Sequence, residues 1–131
     1  MKFQLIDVIL EQSPERIVAV KQVSAAEEYL ADHFPSFPIL PGVMMLEAMV
    51  QAARAMLPAS PRLVLGEVKA LKYGQMVRPG EALEIEVTLQ KRLEDGSFAC
   101  KGSGLVRRRG GAAGAAETAV NGRFVMRPIR P

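Results

Sequence analysis

The chain has 131 residues, nearly half of them hydrophobic, and carries a formal net charge of +3. This length and apolar content suit a domain with its own core and argue against a disordered chain. A helix needs about 18 to 20 apolar residues to span a bilayer, and no apolar run in the chain is that long. The single cysteine, Cys100, excludes an internal disulfide. We therefore expect a single domain over residues 1–131, located in the cytoplasm.

The first half of the chain predicts two strands and two helices. Apolar residues in alternation predict strands over 3–10 and 16–23, joined by the turn EQSPE. The capping-box pattern SAAE then predicts a short helix over 24–32. A proline-rich loop follows, and after it a longer helix over 43–57, which the segment PASP ends.

Four further strands are predicted after the long helix, over 62–73, 81–92, 97–107 and 117–127. The turns VRPGE and LEDGS separate the first three, and the second has the Asp-Gly pair typical of hairpins. The glycine-rich segment RRRGGAAGAAE is predicted to be a hairpin loop. Because strands follow one another rather than alternate with helices, we expect an α+β fold with an antiparallel sheet packed against the long helix.

The long helix carries a narrow polar stripe. In VMMLEAMVQAARAML the polar residues are Glu47, Gln51 and Arg54, whose spacings of four and three place them on one face. All other positions are apolar, which predicts a helix that is buried nearly all round and wrapped by the sheet. An unpaired carboxylate is costly in such a helix, so Glu47 either pairs with Arg54 or is held there to give or take a proton.

The only histidine of the chain, His33, lies ahead of a rigid loop. Three prolines after it fix their own φ angles and restrict the residue before each: Pro35, Pro38 and Pro41. Gly42 then offers a backbone N–H at a helix start and no side chain to keep a ligand away. A base, an acid and an amide donor are the parts needed to remove a proton beside a thioester. The bland alternative is a surface histidine bonded to a backbone carbonyl.

The stretch HFPSFPILPGVMMLEAMVQAA resembles the signature of the FabZ-type (3R)-hydroxyacyl-acyl-carrier-protein dehydratases, which reads approximately H-F-P-G-x-P-x-x-P-G-V-x-x-x-E-A-x-x-Q. Ten positions match in register between His33 and Gln51, and the family's fourteen-residue gap separates the histidine from Glu47. The later stretch LKYGQMVRPGEALEIEV is similar to a strand–turn–strand of the same family. The resemblance implies the hotdog fold, a curved antiparallel sheet wrapped around a long central helix.

The resemblance also implies a carbon–oxygen hydro-lyase. Its substrate would be a (3R)-3-hydroxyacyl chain on acyl carrier protein, dehydrated to the trans-2-enoyl form in type II fatty acid, related lipid or polyketide synthesis. His33 would be the base and Glu47 of the partner subunit the acid, in sites shared across a homodimer or a trimer of dimers. No cofactor, metal, nucleic acid or membrane span is implied. The residues implied to bind substrate are Gly42, Val43, Phe34, Pro41 and Gln51.

The chain departs from the family at Asp32, Ser36 and Phe37, which changes the loop at the mouth of the acyl tunnel and leaves the acid and base in place. Two alternatives follow. A hotdog thioesterase would use the helix carboxylate to activate water, although such enzymes generally lack the HFP…PGV loop. A catalytically silent acyl- or carrier-binding subunit would explain Asp32 and Phe37, although it would not need the intact acid and base.

Two other features have competing interpretations. The arginine run over 107–109 is predicted to be a solvated loop end, with a docking surface for an acidic partner as the alternative. Aromatic residues are not interleaved with the basic ones, as they would be in a single-strand nucleic-acid binder. The helix methionines either line the acyl tunnel or belong to the core: Met44, Met45, Met49 and Met56.

Overall fold

The computed structural model describes residues 5–23, 40–107 and 117–129. The predicted short helix over 24–32 and most of the glycine-rich segment lie outside this part of the chain. The elements in chain order are β1 (Val8–Gln12), β2 (Arg16–Gln22), α1 (Gly42–Met56), β3 (Leu63–Tyr73), β4 (Ala82–Arg92), β5 (Phe98–Arg107) and β6 (Glu117–Pro128).

The six strands form one antiparallel sheet in the order β1-β2-β4-β5-β6-β3. Helix α1 packs against the inner face of this sheet and touches β2, β3, β4, β5 and β6. The α+β arrangement predicted from the order of elements is therefore confirmed. No helix in the described ranges is long and apolar enough to cross a membrane.

The first strand lies further along the chain than predicted. It was expected over 3–10, but β1 covers Val8–Gln12. The backbone N–H of Leu5 donates to the side-chain oxygen of Gln51 on α1, at 2.8 Å, so the chain runs along the helix before it joins the sheet. The turn after β1 is correspondingly short, and the Ser13 hydroxyl closes it by accepting the N–H of Arg16 at 3.1 Å. A side-chain contact to a distant helix cannot be read from strand periodicity.

The two later turns form as predicted, and a glycine occupies the left-handed position in each. Gly80 in VRPGE has φ +89° and Gly96 in LEDGS has φ +87°. A residue with a Cβ is strained in that region, which explains why glycine follows Pro79 and Asp95. The strands predicted on either side of these turns agree with β3, β4 and β5 to within a residue or so.

Glycines on the inner face of the sheet make room for its neighbours. A Cβ at Gly102 would lie 2.6 Å from the Met49 sulfur of α1. One at Gly104 would lie 2.8 Å from Val120 Cγ1 and 2.9 Å from Leu83 Cδ1. The helix and the neighbouring strands therefore fill the space that side chains on β5 would need. The largest fully buried side chains include Phe124, Ile17, Leu83, Ile85 and Met126.

The sheet covers only one side of α1. Seven of the fifteen helix residues are buried, whereas Val43 is 64% exposed and Arg54 is also exposed. Five more are half-buried, so the prediction of a helix buried nearly all round holds for most of α1 and fails mainly at Val43, which is apolar and exposed. Apolar residues occur on both sides of α1, and composition alone does not show which side meets the sheet and which is left for another partner.

The methionines of α1 belong mainly to the core. Met45, Met49 and Met56 are 4%, 0% and 7% exposed, and Met44 is partly buried against the same cluster. Their flexible side chains fill the space between helix and sheet. Of the two interpretations of these residues, the described part of the chain favours core packing.

Replacing Gly104 by valine should destabilise the fold. The added side chain meets Val120 and Leu83 below van der Waals distance, and overpacking of this kind costs about 1–3 kcal/mol. The control is Ser103→Val, on the outer face of the same strand, where a surface change should cost less than about 0.5 kcal/mol. Urea unfolding of both variants measures the difference; equal stabilities would contradict the close packing at Gly104.

Candidate functional site

The residues predicted to form the site divide into two groups. His33, Phe34, Pro35 and Pro38 lie outside the described residues, so the position of the predicted base stays a prediction. The described group lies in the first three turns of α1 and just before it: Pro41, Gly42, Val43, Glu47 and Gln51.

The start of α1 is anchored to the loop between β3 and β4. The N–H of Leu40 donates to the carbonyl of Val77 at 2.7 Å. The carbonyl of Pro41 accepts the N–H groups of Met44 and Met45 at 3.0 and 3.2 Å, which closes the first turn. The N–H of Gly42 precedes that turn and has no backbone acceptor among the described residues. This N–H lies at the positive end of a fifteen-residue helix. It can therefore donate a hydrogen bond to a carbonyl oxygen placed there.

The space beside Gly42 is occupied by an aromatic ring. A Cβ at this position would lie 2.9 Å from both Cε1 and Cζ of Tyr73, the last residue of β3. The absence of a side chain at Gly42 predicts room for a ligand. On this side of the glycine, the ring of Tyr73 occupies that room. Sequence reasoning missed Tyr73, although it lies in the stretch LKYGQ that carries part of the family resemblance.

Tyr73 is half-exposed, and its environment is partly apolar. Half of the residue remains accessible, and the partial burial raises the pKa of its phenol above the ordinary value. The phenol is therefore neutral, and able to donate a hydrogen bond, at any pH near neutrality. Its ring packs against the backbone at the N-terminus of α1.

Glu47 is half-buried on α1 and forms no hydrogen bond or ion pair with another described residue. The structural alternative, a pair with Arg54, is not found: Arg54 donates its Nε–H to the carbonyl of Leu63 at 3.2 Å. Val43, one turn before Glu47, is 64% exposed. The carboxylate thus lies on a helix face that combines an exposed apolar residue with an acid that has no partner among the described residues.

Gln51 has a structural contact that the sequence did not indicate. Its side-chain oxygen accepts the N–H of Leu5 and so fastens the start of the described chain to α1. Its expected contact with substrate stays a prediction. Because Gln51 lies one turn beyond Glu47, the Leu5 segment borders the same helix face.

Two other candidates play no part in the described site. Arg107, at the start of the arginine run, donates to Glu84 on β4 at 3.2 Å, which fits the solvated interpretation of that residue; Arg108 and Arg109 lie outside the described residues. Cys100 is buried in β5, and burial raises the pKa of its thiol to about 11. A thiol that stays protonated at neutral pH is a poor nucleophile.

Solved structures of other proteins share this arrangement of helix and sheet. The chain is similar to the structure titled the dehydratase heterocomplex ApeI:P from Xenorhabdus doucetiae, with a TM-score of 0.69 over 91% of this chain and 96% of that one, at 15% identity. It is also similar to smu.793 from Streptococcus mutans, solved with acetyl CoA, with a TM-score of 0.71 at 10% identity over 98% and 92% of the two chains. These likenesses establish the fold, and the chain is a hotdog protein, as the resemblance implied.

The sequence comparisons define the family within that fold. Residues 10–109 match the profile of the ApeI-like family, described as ApeI dehydratase. Similar curated proteins are the 3-hydroxyacyl-[acyl-carrier-protein] dehydratases FabZ of Oenococcus oeni, 41% identical over 93 residues, and of Solibacter usitatus, 36% identical over 96. The matches cover 66% and 69% of this chain and 67% and 59% of those relatives. The chain therefore belongs to the ApeI-like dehydratase family.

A double-mutant cycle tests the contact between Gly42 and Tyr73. Gly42→Ala should destabilise the chain, because the methyl group displaces the ring, and the loss should be smaller when residue 73 is already alanine. Contacting residues typically couple by about 0.5–3 kcal/mol. Thermal or urea unfolding of the wild type, both single variants and the double variant gives the coupling energy. Strict additivity would show that the two residues do not touch.

Proposed function

We propose that this protein is a 3-hydroxyacyl-[acyl-carrier-protein] dehydratase that converts a (3R)-3-hydroxyacyl thioester into the trans-2-enoyl thioester and water. The observation that carries the proposal is Glu47, held half-buried on α1 without a hydrogen bond or ion pair to any other described residue, near a helix N-terminus where the Gly42 N–H has no backbone acceptor among those residues. Membership of the ApeI-like family and the FabZ relatives support it. So do His33 and Gly42, which occupy the family's positions in the sequence.

Each group has one role in the proposed elimination. His33 takes the proton from C2 of the acyl chain, and the electron pair of that C–H bond becomes the C2=C3 double bond. Glu47 of the partner subunit protonates the C3 hydroxyl, whose C–O bond breaks to release water. The N–H of Gly42 donates to the thioester oxygen, which gathers negative charge while C2 loses its proton. Tyr73 keeps Gly42 in place by packing against it.

The free edge of β3 supports a second copy as the partner that completes this site. β3 is the last strand of the sheet, and its central residues, 66–70, are exposed. An antiparallel copy centred on Val68 would set Glu67 opposite Lys69 of the other chain, twice by symmetry. It would also bury Val68, which is 36% exposed. The edge is therefore self-complementary in charge and in apolar contact.

Charge reversal tests this pairing. Glu67→Lys and Lys69→Glu, made singly, each place like charges across the two-fold axis, so the dimer dissociation constant should rise roughly ten-fold. The double variant restores opposite charges, keeps the net charge of the wild type and should restore the dimer. Sedimentation equilibrium separates the 14.2 kDa chain from its dimer. A wild type that is monomeric alone would point instead to a different dehydratase-like chain as the partner.

The enzymatic test follows the enoyl product formed from a (3R)-3-hydroxyacyl thioester on acyl carrier protein. His33→Ala and Glu47→Gln should each lower turnover by about 10²–10⁴-fold, because each removes one proton transfer. Glu94→Gln, the same substitution in the exposed LEDGS turn, is the matched control and should stay active. Circular dichroism and the oligomer mass check that the inactive variants still fold and assemble.

Product analysis distinguishes the alternatives. Release of the free carrier thiol with a carboxylic acid product would identify a thioesterase and refute the dehydratase proposal. Tight binding of the acyl carrier without turnover, across several chain lengths, would identify a silent subunit. In that case Asp32, Ser36 and Phe37 are the residues to return to the family pattern.

A further inference from the structure

Strand β3 contains a bulge near its C-terminal end. Its register with β6 shifts between Lys69 and Lys72. Two residues, Ala70 and Leu71, therefore stand opposite a single one, Gly122. Leu71 lies over this glycine, because a Cβ there would be 3.1 Å from both the Cα and the Cδ1 atoms of Leu71. The sheet thus makes room for the extra residue, and bulges of this kind commonly redirect a side chain.

The bulge decides which face of the sheet Tyr73 occupies. Residues directly opposite one another in an antiparallel pair share a face. Before the bulge, Val68 lies opposite the buried Phe124, on the inner face. Strict alternation from Val68 would turn Tyr73, five residues later, to the outer face. The extra residue shifts the alternation by one, and Tyr73 lies opposite the buried Val120 instead.

The bulge has a backbone conformation that alanine seldom adopts. Ala70 has φ +52°, and it is the one non-glycine residue with positive φ in the described ranges. This left-handed region is unfavourable for a residue with a Cβ. Such a conformation persists only where the surrounding structure holds it, and it commonly occurs beside a functional site. What the strained bulge achieves here is the inward direction of Tyr73.

The backbone that follows Tyr73 is fastened to β6. The N–H of Gly74 donates to the carbonyl of Ala119 at 2.8 Å. The N–H of Gln75 donates to the carbonyl of Thr118 at 2.9 Å. A Cβ at Gly74 would collide with the carbonyl oxygen of Thr118. With the bulge before it and these contacts after it, the backbone of Tyr73 is held on both sides.

The hydroxyl end of the Tyr73 ring lies over Gly42. The Cβ position of Gly42 is 2.9 Å from Cζ, the ring carbon that bears the hydroxyl, and 2.9 and 3.3 Å from the two carbons beside Cζ. The hydroxyl is therefore attached one bond away from the contact with Gly42. The N–H of Gly42 is the proposed donor to the thioester oxygen, so the two polar groups lie at the same end of α1.

The Tyr73 hydroxyl is accessible to a ligand. No hydrogen bond joins it to a described residue, and half of the residue is exposed. A phenylalanine ring would pack in the same way, so the contact with Gly42 does not require the oxygen. Partial burial raises the pKa of the phenol, so at neutral pH the group keeps its proton and can donate it in a hydrogen bond.

We propose that the Tyr73 hydroxyl, turned inward by the β3 bulge, is a second hydrogen-bond donor to the thioester oxygen, beside the N–H of Gly42. The inference rests on the proposed function, because it adds a catalytic residue to that reaction. While His33 removes the C2 proton, the thioester oxygen gathers negative charge, and the phenol donates to it without giving up its own proton. A donor aimed at developing charge lowers the barrier more than it strengthens substrate binding.

Tyr73→Phe tests the hydroxyl and keeps the ring. Because the packing on Gly42 is retained, thermal unfolding of the variant should match that of the wild type. With the (3R)-3-hydroxyacyl thioester of N-acetylcysteamine, kcat should fall by roughly 10²-fold, because one donor to the developing charge is lost. KM should change little. A wild-type kcat in Tyr73→Phe would overturn the proposal and leave the ring with a packing role only.

Ser103→Ala is the matched control. It removes one hydroxyl from the outer face of β5, away from α1. Both kcat and KM should stay as in the wild type. An equal loss of kcat in Ser103→Ala would overturn the assignment, because the effect would then not be specific to Tyr73.

Infrared spectroscopy observes the hydrogen bond itself. The probe is the saturated butanoyl thioester of N-acetylcysteamine, labelled with carbon-13 at its carbonyl, which has no hydroxyl to eliminate. A hydrogen bond to a carbonyl oxygen lowers the stretching frequency of that carbonyl. The band of the bound probe should therefore lie at a lower frequency in the wild type than in Tyr73→Phe. Equal frequencies in the two proteins would overturn the hydroxyl as a donor.

The two measurements separate this inference from the proposed reaction. Turnover by the wild type with an unchanged kcat in Tyr73→Phe keeps the dehydratase and overturns the donor. No turnover by the wild type, with a carbonyl band that depends on the Tyr73 hydroxyl, refutes the dehydratase and keeps the donor as part of a thioester-binding site. A wild type that neither turns over the substrate nor shifts the band of the probe overturns both.

Discussion

The fold depends on the close approach of helix α1 to the inner face of the sheet. That approach is possible because β5 presents glycines there, and the Met49 sulfur takes the space that a side chain at Gly102 would need. Burial of the apolar residues from both layers supplies the main stabilising free energy. It also fixes where the helix begins, and therefore where Gly42 and Glu47 lie relative to the strands.

Helix α1 meets the sheet on one side only, and the proposed chemistry depends on the other side of the helix. The sheet packs against one side of α1 and leaves Val43 and Arg54 exposed and Glu47 half-buried. An acid on an uncovered helix face is incomplete as a catalytic site until a second surface removes it from bulk water. The free edge of β3, with its self-complementary charges, offers a way to bring a second copy to that face. Assembly and catalysis would then require the same contact.

The two faces of the sheet differ in burial and in charge. Inward-facing residues of β5 and β6 pack the core, and outward-facing residues of the same strands carry Lys101 and Arg123. Because successive residues of a strand point to opposite faces, a change on one face leaves the other nearly intact.

Local patterns in the sequence determined the order of elements, both glycine turns, and the motif that joins His33 to Glu47. These features depend on neighbours within a few residues, which periodicity, turn chemistry and motif spacing record directly. The same patterns placed most of the later strands correctly. They also gave the family resemblance, because the motif is nearly continuous along the chain.

Tertiary structure alone decided the features that depend on residues distant in the chain. The first strand begins late because Leu5 bonds to Gln51, forty-six residues away. The space beside Gly42 is filled by Tyr73, and Lys101 meets Arg123 across two strands. The exposure of Val43 on α1 likewise depends on how the helix packs on the sheet. Sequence fixes which residues are available for such contacts, but strand register and the packing of helix on sheet decide which of them meet.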